Sequence, residues 1–447
     1  MKLSHIAALT GGALIGTDKD IQRVSTDTRT LRAGDLFVAL RGEHFDAHQF
    51  LPQAAAAGAD AALVEVPSEV FTSQVQVADS RHALGKTAAG WADQFTATRI
   101  GVTGNAGKTT VKEMIRSMLG AEALATQGNL NNDIGVPLTL LSLRAEHRYA
   151  VVELGASAPG EIAWTSGLLK PEIALITNVT GAHLEGFGTL GGIAAAKAEI
   201  FSGMAAGSIA IINGDDAFAD YFSARAEDAA LNVRRVSAEH DADYSATDIE
   251  ADAEGVRFTL RVAGDTYPVA VPLPGRHQVG NALLALAAVH AAGVPLSQAI
   301  AKLAAMPPVP GRVNRFPCLG GTLIDDSYNA NPGSVRAAIA LLAQCPAPRM
   351  LVLGALGELG PQAADIHASL GRAAQEAGLD ALVAVGEGAR PAGEEFGTAA
   401  RFAADHQAAV REALPLLQGG GTVLVKGSRS ARMDVVVAAL RKLGETH

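Results

Sequence analysis

Seven residues, Gly104-Asn105-Ala106-Gly107-Lys108-Thr109-Thr110, stand between an apolar run at 100–103 and a segment whose apolar residues fall at 111, 114, 115, 118 and 119. That spacing covers one face of a helix, so the order is strand, glycine-rich turn, helix. The turn aims backbone N–H groups and the positive end of the helix at an anion, which makes a phosphate site. Lys108 is placed to reach a transferred phosphate and Thr109 to touch magnesium. Five residues before Gly107, where a phosphate loop ordinarily has glycine, stands Val102, so Gly104 is the effective first glycine.

Three further residues have the chemistry to serve bound phosphates. Glu153 ends the apolar run 150–152, which puts a carboxylate at the carboxyl edge of a parallel strand, where open sheets collect ligands. A magnesium ligand fits there, and so does a solvated strand-end carboxylate. His183 follows another apolar strand and could ligate a second metal, bind a phosphate or be a satisfied structural histidine. Lys197 lies four residues after Ile193 and three before Ile200, on the stripe that faces inward. Its stem could snorkel; alternatively a desolvated, neutral amine could take up carbon dioxide as a carbamate, an oxygen ligand.

No side-chain nucleophile competes with this reading. Cys318 and Cys345 have no paired spacing and no base beside them, and no Gly-x-Ser-x-Gly turn occurs, so disulfides, thiolate metal sites and covalent catalysis are not indicated. The net charge of −10 argues against general nucleic-acid binding. The first 16 residues suit an amphipathic helix better than an export signal, since His5 interrupts them and no small-residue cleavage pattern follows. No apolar run reaches the roughly 20 residues that span a bilayer. A cytoplasmic protein is expected.

A chain of 447 residues needs more than one core. Only 4% of residues are aromatic while 48% are hydrophobic, a composition suited to helices packed closely on parallel sheets. Residues 1–96 read as a small α/β domain, with strands at 35–40 and 61–64 and helices at 53–58 and 83–94. Residues 97–311 read as a doubly wound core, with strands at 100–103, 149–154, 173–177 and 208–213 and an appended hairpin of 256–262 and 266–271. The proline-rich run 306–311 reads as a stiff linker. Residues 312–447 then read as a Rossmann-like domain with strands at 322–325, 350–353, 381–385 and 422–425, without a complete dinucleotide fingerprint.

In order and spacing, residues 103–110, Glu153, His183 and Ala196-Lys197-Ala198-Glu199-Ile200-Phe201 resemble the Mur ligase family. Within it, Ser25-Thr26-Asp27-Thr28-Arg29, Asn131-Asn132-Asp133-Ile134-Gly135, Asp326-Ser327-Tyr328-Asn329-Ala330-Asn331-Pro332, Gly357-Glu358-Leu359-Gly360 and Lys426-Gly427-Ser428-Arg429 match members that extend a peptide precursor of the cell wall. The resemblance implies an ATP-dependent ligase that turns the carboxylate of UDP-N-acetylmuramoyl-tripeptide into an acyl phosphate and joins it to D-alanyl-D-alanine. A family member that adds the third amino acid is the nearest alternative; a phosphate-loop NTPase of another class is a more distant one.

The resemblance further implies that residues 104–110 hold ATP, that Asn281, Arg312 and Asp326 assist it, and that Thr109, Glu153, His183 and a carbamylated Lys197 bind two magnesium ions. Lys108, Glu153, His183 and Lys197 would be the catalytic set. Thr28, Arg29 and Gly42 would hold the uridine diphosphate, and Asn131, Asn132 and Ser157 the muramoyl peptide. Tyr328, Asn329, Asn331, Lys426, Ser428 and Arg429 would complete the substrate site. A monomer is implied, open without substrates and hinged near 310–315. Two positions depart from the family pattern: Ala106, where serine or asparagine is common, and Ala355, where an acidic residue is expected.

Overall fold

The computed structural model describes residues 1–42, 45–180, 187–252 and 254–445. Three α/β domains follow one another along the chain, each built on its own sheet. The first sheet contains β1 (Ala13–Gly16), β2 (Arg23–Ser25), β3 (Asp35–Val38), β4 (Ala61–Val64) and β5 (Ser73–Gln76), in the order β1-β5-β4-β3-β2. Only β1 runs antiparallel to its neighbour. Leu36, Phe37, Val38 and all of β4 are buried, as expected of parallel strands covered on both faces. The N-terminal helix ends at Thr10 and gives way to β1, an edge strand not anticipated from the small-residue run.

The central sheet holds β6 (Thr98–Thr103), β7 (Ala123–Ala125), β8 (Tyr149–Glu153), β9 (Ile173–Ile176), β10 (Ile209–Asn213), β11 (Asn232–Ser237), β12 (Tyr244–Ala251), β13 (Val256–Val262) and β14 (Asp265–Val271). Their order is β14-β13-β12-β11-β10-β9-β6-β8-β7, parallel from β7 to β12 and antiparallel beyond. Helices Lys108–Leu119 and Gln278–Ala291 pack on one face through Val111, Met114, Ile115, Leu283 and Leu286. Helices Gly135–Leu141 and Glu161–Leu169 cover the other through Val136, Leu140, Ile162 and Leu168. Each such side chain, fully buried, contributes about 1.5–3 kcal/mol. The chain crosses from β8 on one side of β6 to β9 on the other, so a crevice opens at the carboxyl ends of these strands.

The third sheet has the order β15-β16-β20-β17-β18-β19, where β15 is Asn314–Cys318, β16 Gly321–Asp326, β17 Arg349–Gly354, β18 Ala381–Val385, β19 Ala400–Ala403 and β20 Thr422–Lys426. All pairings except β15 with β16 are parallel. The linker is less free than its prolines imply: Met306 and Val309 are buried in the central core, and the Tyr328 N–H donates to the Gly311 carbonyl at 3.2 Å.

Candidate active site between the central and C-terminal domains

The loop after β6 has the shape its glycines allow. Gly104 and Gly107 have φ of +137° and +83°, and a Cβ on either would stand 2.0 Å from Thr177 Oγ1 or 2.6 Å from Asn281 Oδ1. Neither position tolerates a side chain. The end of β9 fixes the loop: the Asn105 N–H donates to the Asn178 carbonyl (3.0 Å), the Ala106 N–H to Asn178 Oδ1 (2.9 Å) and the Thr177 hydroxyl to the Ala106 carbonyl (2.5 Å). Lys108 folds back so that Nζ donates to the Gly104 carbonyl at 2.5 Å. Burial pushes its pKa down while Glu153 opposes the shift.

Glu153, 1% exposed, stands one strand away at the end of β8. Its Oε2 accepts a long hydrogen bond from Thr109 Oγ1 at 3.4 Å, and its buried Oε1 has no hydrogen-bond donor among the described residues. Lys112 Nζ lies 3.7 Å from that Oε1. A buried carboxylate oxygen without a donor, beside a threonine hydroxyl, is a donor set that suits a hard divalent cation. Arg312, from the domain junction, donates through Nη2 to the same Thr109 hydroxyl at 3.4 Å.

Lys197 is 1% exposed on helix Leu190–Ala198, with Nζ 5.7 Å from the centre of the Phe187 ring. Burial, and then the nearby Lys108 charge, push its pKa down to about 7. Such an amine is substantially neutral at physiological pH, which snorkelling into water would not produce. His183 lies outside the described residues. Among those residues no group of three or more His, Cys, Asp or Glu is placed to hold a metal ion.

The C-terminal domain closes the opposite wall. Asp326, ending β16, pairs with Lys426, ending β20, at 2.6 Å, and Lys426 Nζ also donates to the Asn329 carbonyl at 3.0 Å. The Tyr328 ring lies under Arg312 (4.6 Å) and Arg429 (5.4 Å). Together with the loop residues 105–110, Glu153, Lys197 and Asn281, these groups line one cavity of about 1070 Å³, and Asn131, Asn132, Ser157, Asn331 and Ser428 line it too. Two of them have structural work as well: Asn132 Oδ1 accepts from the Gly135 N–H at 2.9 Å, and Asn331 caps helix Pro332–Ala343.

Thr28, Arg29 and Gly42 do not line this cavity. Thr28 and Arg29 form a short turn of the N-terminal domain, where Arg29 pairs with Asp27 at 2.7 Å, and the Gly42 N–H donates to the Phe45 carbonyl.

Residues 20–92 match the Mur ligase family catalytic domain, 102–289 the Mur ligase middle domain and 311–429 the Mur ligase glutamate ligase domain. The UDP-N-acetylmuramoyl-tripeptide--D-alanyl-D-alanine ligase of Escherichia coli (strain K12) is 44% identical over 99% of this chain and 98% of its own. The chain belongs to the Mur ligase family. The crystal structure of MurF from Acinetobacter baumannii superimposes with a TM-score of 0.91 at 37% identity, covering 98% of both chains. MurF ligase from Thermotoga maritima in complex with ADP gives 0.83 at 28% identity, over 95% of this chain and 98% of that one.

At position 355 the contact is made by the backbone: the Ala355 carbonyl accepts both the Ser428 N–H (3.1 Å) and the Ser428 hydroxyl (2.6 Å), and nothing in the structure explains the alanine itself. Sequence reasoning missed Thr177 and Asn178, which hold the loop, and His277 and Glu358, which line the cavity. It also missed Lys112, although a signal was available. Lys112 lies three residues before Ile115 and seven before Leu119, the same inward-stripe placement that singled out Lys197.

Proposed function

We propose that this chain is the ATP-dependent ligase that adds D-alanyl-D-alanine to UDP-N-acetylmuramoyl-tripeptide, building the peptidoglycan precursor in the cytoplasm. One observation carries the reading: a phosphate loop, a buried carboxylate and an arginine from the next domain converge on Thr109 inside a single interdomain cavity. Full-length similarity to enzymes of that name supplies the substrates. In this reading residues 97–311 hold ATP, 312–447 receive the dipeptide, and 1–96 hold the uridine diphosphate through Thr28, Arg29 and Gly42. Since one chain supplies the whole cavity, a monomer suffices.

A carboxylate oxygen of the tripeptide attacks the γ-phosphorus, and the bond to the ADP oxygen breaks. The acyl phosphate so formed accepts the dipeptide amine at its carbonyl carbon, expels phosphate and releases one proton. Lys108 faces the charge that spreads over the transferred group, with the loop N–H groups around it. Arg312, Asn281 and Asp326 steady the nucleotide, while Lys426, paired with Asp326, forms the wall beside the incoming amine. Thr109, Glu153, His183 and Lys197 would hold magnesium, which supplies positive charge against the phosphoryl oxygens. For Lys197 to serve, its neutral Nζ adds to carbon dioxide, forming an N–C bond and losing a proton.

Phosphate release with ATP, magnesium and UDP-N-acetylmuramoyl-tripeptide tests the reading when run with and without D-alanyl-D-alanine. Release that needs both peptide substrates, and is lost in Lys197→Ala, is the expected result. Release indifferent to the dipeptide would refute it.

A further inference from the structure

Lys112 is 2% exposed and takes no part in the cavity wall, yet three oxygens converge on its ammonium. Nζ donates to the Glu113 carboxylate at 2.6 Å and to the Thr126 carbonyl at 2.7 Å, and it stands 3.7 Å from Glu153 Oε1. Thr126 is itself 1% exposed and completes a loop back to the same glutamate, because its hydroxyl accepts the Glu153 N–H at 2.9 Å. Thus both the backbone and the carboxylate of Glu153 depend on one buried cluster behind it. A buried ammonium needs compensating charge. Glu113 supplies a direct, hydrogen-bonded partner, and Arg116 in turn holds Glu113 at 2.7 Å. That leaves Glu153 close enough to be oriented and too far to be saturated: its Oε1 keeps its lone pairs.

We propose that Lys112 is a positioning residue that, with Thr126, holds the Glu153 carboxylate aimed at Thr109 so that the pair can take a divalent cation beside the phosphate loop. The inference rests on the ligase reading above and names a residue that acts through Glu153 without touching substrate. Groups behind a metal ligand are worth about 10- to 100-fold in metal affinity, which sets the size of the effect.

Mn2+ serves as the probe, titrated by electron paramagnetic resonance into the full-length enzyme with stoichiometric ADP. Glu153→Gln, Lys112→Met, Lys112→Arg and Thr126→Val are compared with wild type. Lys112→Met should weaken Mn2+ binding about tenfold or more and lower kcat, with the peptide KM changed less than about threefold, and Lys112→Arg should recover most of the affinity. Should Lys112→Met not fold, Thr126→Val is expected to weaken Mn2+ binding in the same direction, and unchanged affinity there overturns the inference. Unchanged or tighter binding in folded Lys112→Met, with Glu153→Gln weakened, overturns the role of Lys112 alone. Unchanged binding in Glu153→Gln removes the cation site, and the inference falls with it.

Discussion

The central domain meets its two neighbours in opposite ways. Toward the N-terminal domain the contact has a continuous apolar core, rimmed by ion pairs such as Arg81–Asp133 and Lys170–Asp93: Leu3, Leu36, Leu63 and Leu84 share that core with Val136, Leu140, Ile162 and Leu168. Gly85 brings the helix Ser80–Ala92 so close that a Cβ there would stand 2.8 Å from the Trp164 ring, and Trp91 Nε1 donates to the Leu143 carbonyl at 3.1 Å. Toward the C-terminal domain the cores are separate, and what faces the gap is Lys108, Glu153, Arg312, Asp326 and Lys426. A shared, continuous apolar core makes a weld. A charged cavity with a few long hydrogen bonds, such as Arg312 to Thr109, makes a joint that can open. The domain expected to move when substrates enter and leave is therefore the C-terminal one.

The largest contrast is expected in activity. Lys108→Met, on the joint side, should lower phosphate release about a thousandfold, about 4 kcal/mol of transition-state stabilisation, while thermal unfolding stays close to wild type. Lys197 gives a pH signature. Its value is about 7 in the folded chain against 10.5 for an ordinary lysine. Between those values the unfolded chain holds a proton that the folded one lacks, so stability rises with pH across the window and the full penalty stands below pH 7. In carbon dioxide-free buffer, urea titrations at pH 7 and pH 10 should show Lys197→Met removing up to about 4 kcal/mol of that rise.

On the weld side, Leu84→Ala should cost roughly 2–5 kcal/mol by urea unfolding and leave kcat of the folded enzyme near wild type. The smallest effect concerns the hinge, where Val313, a β-branched residue, holds φ +56°. Val313→Gly should relieve about 1 kcal/mol of backbone strain and favour the present arrangement. Small-angle scattering would then show a smaller change in radius of gyration on adding nucleotide and peptide than in wild type.

The sequence revealed those features that follow from regular spacing. The loop 104–110, the strand ending in Glu153 and the inward Lys197 all followed from alternation and helical stripes. So did the hairpin at β13 and β14, whose two-residue turn has Ala263 and Gly264 at φ +52° and +90°. Hidden from it were β12, where polar Thr247, Asp248 and Glu250 blur the apolar alternation, and β15, where Pro317 sits on an edge strand that needs no donor there. The capping duty of Asn331 was equally hidden, because capping is decided by where the helix starts. The weld was hidden too, since Leu84 and Trp164 are far apart in sequence and only the packing brings their elements together.

Tripeptide carrying 18O at both oxygens of its reacting carboxylate tests the central claim most directly. Carboxylate attack on the γ-phosphorus predicts one 18O in each phosphate released when D-alanyl-D-alanine is joined. Phosphate free of the label, formed alongside the amide product, would contradict it.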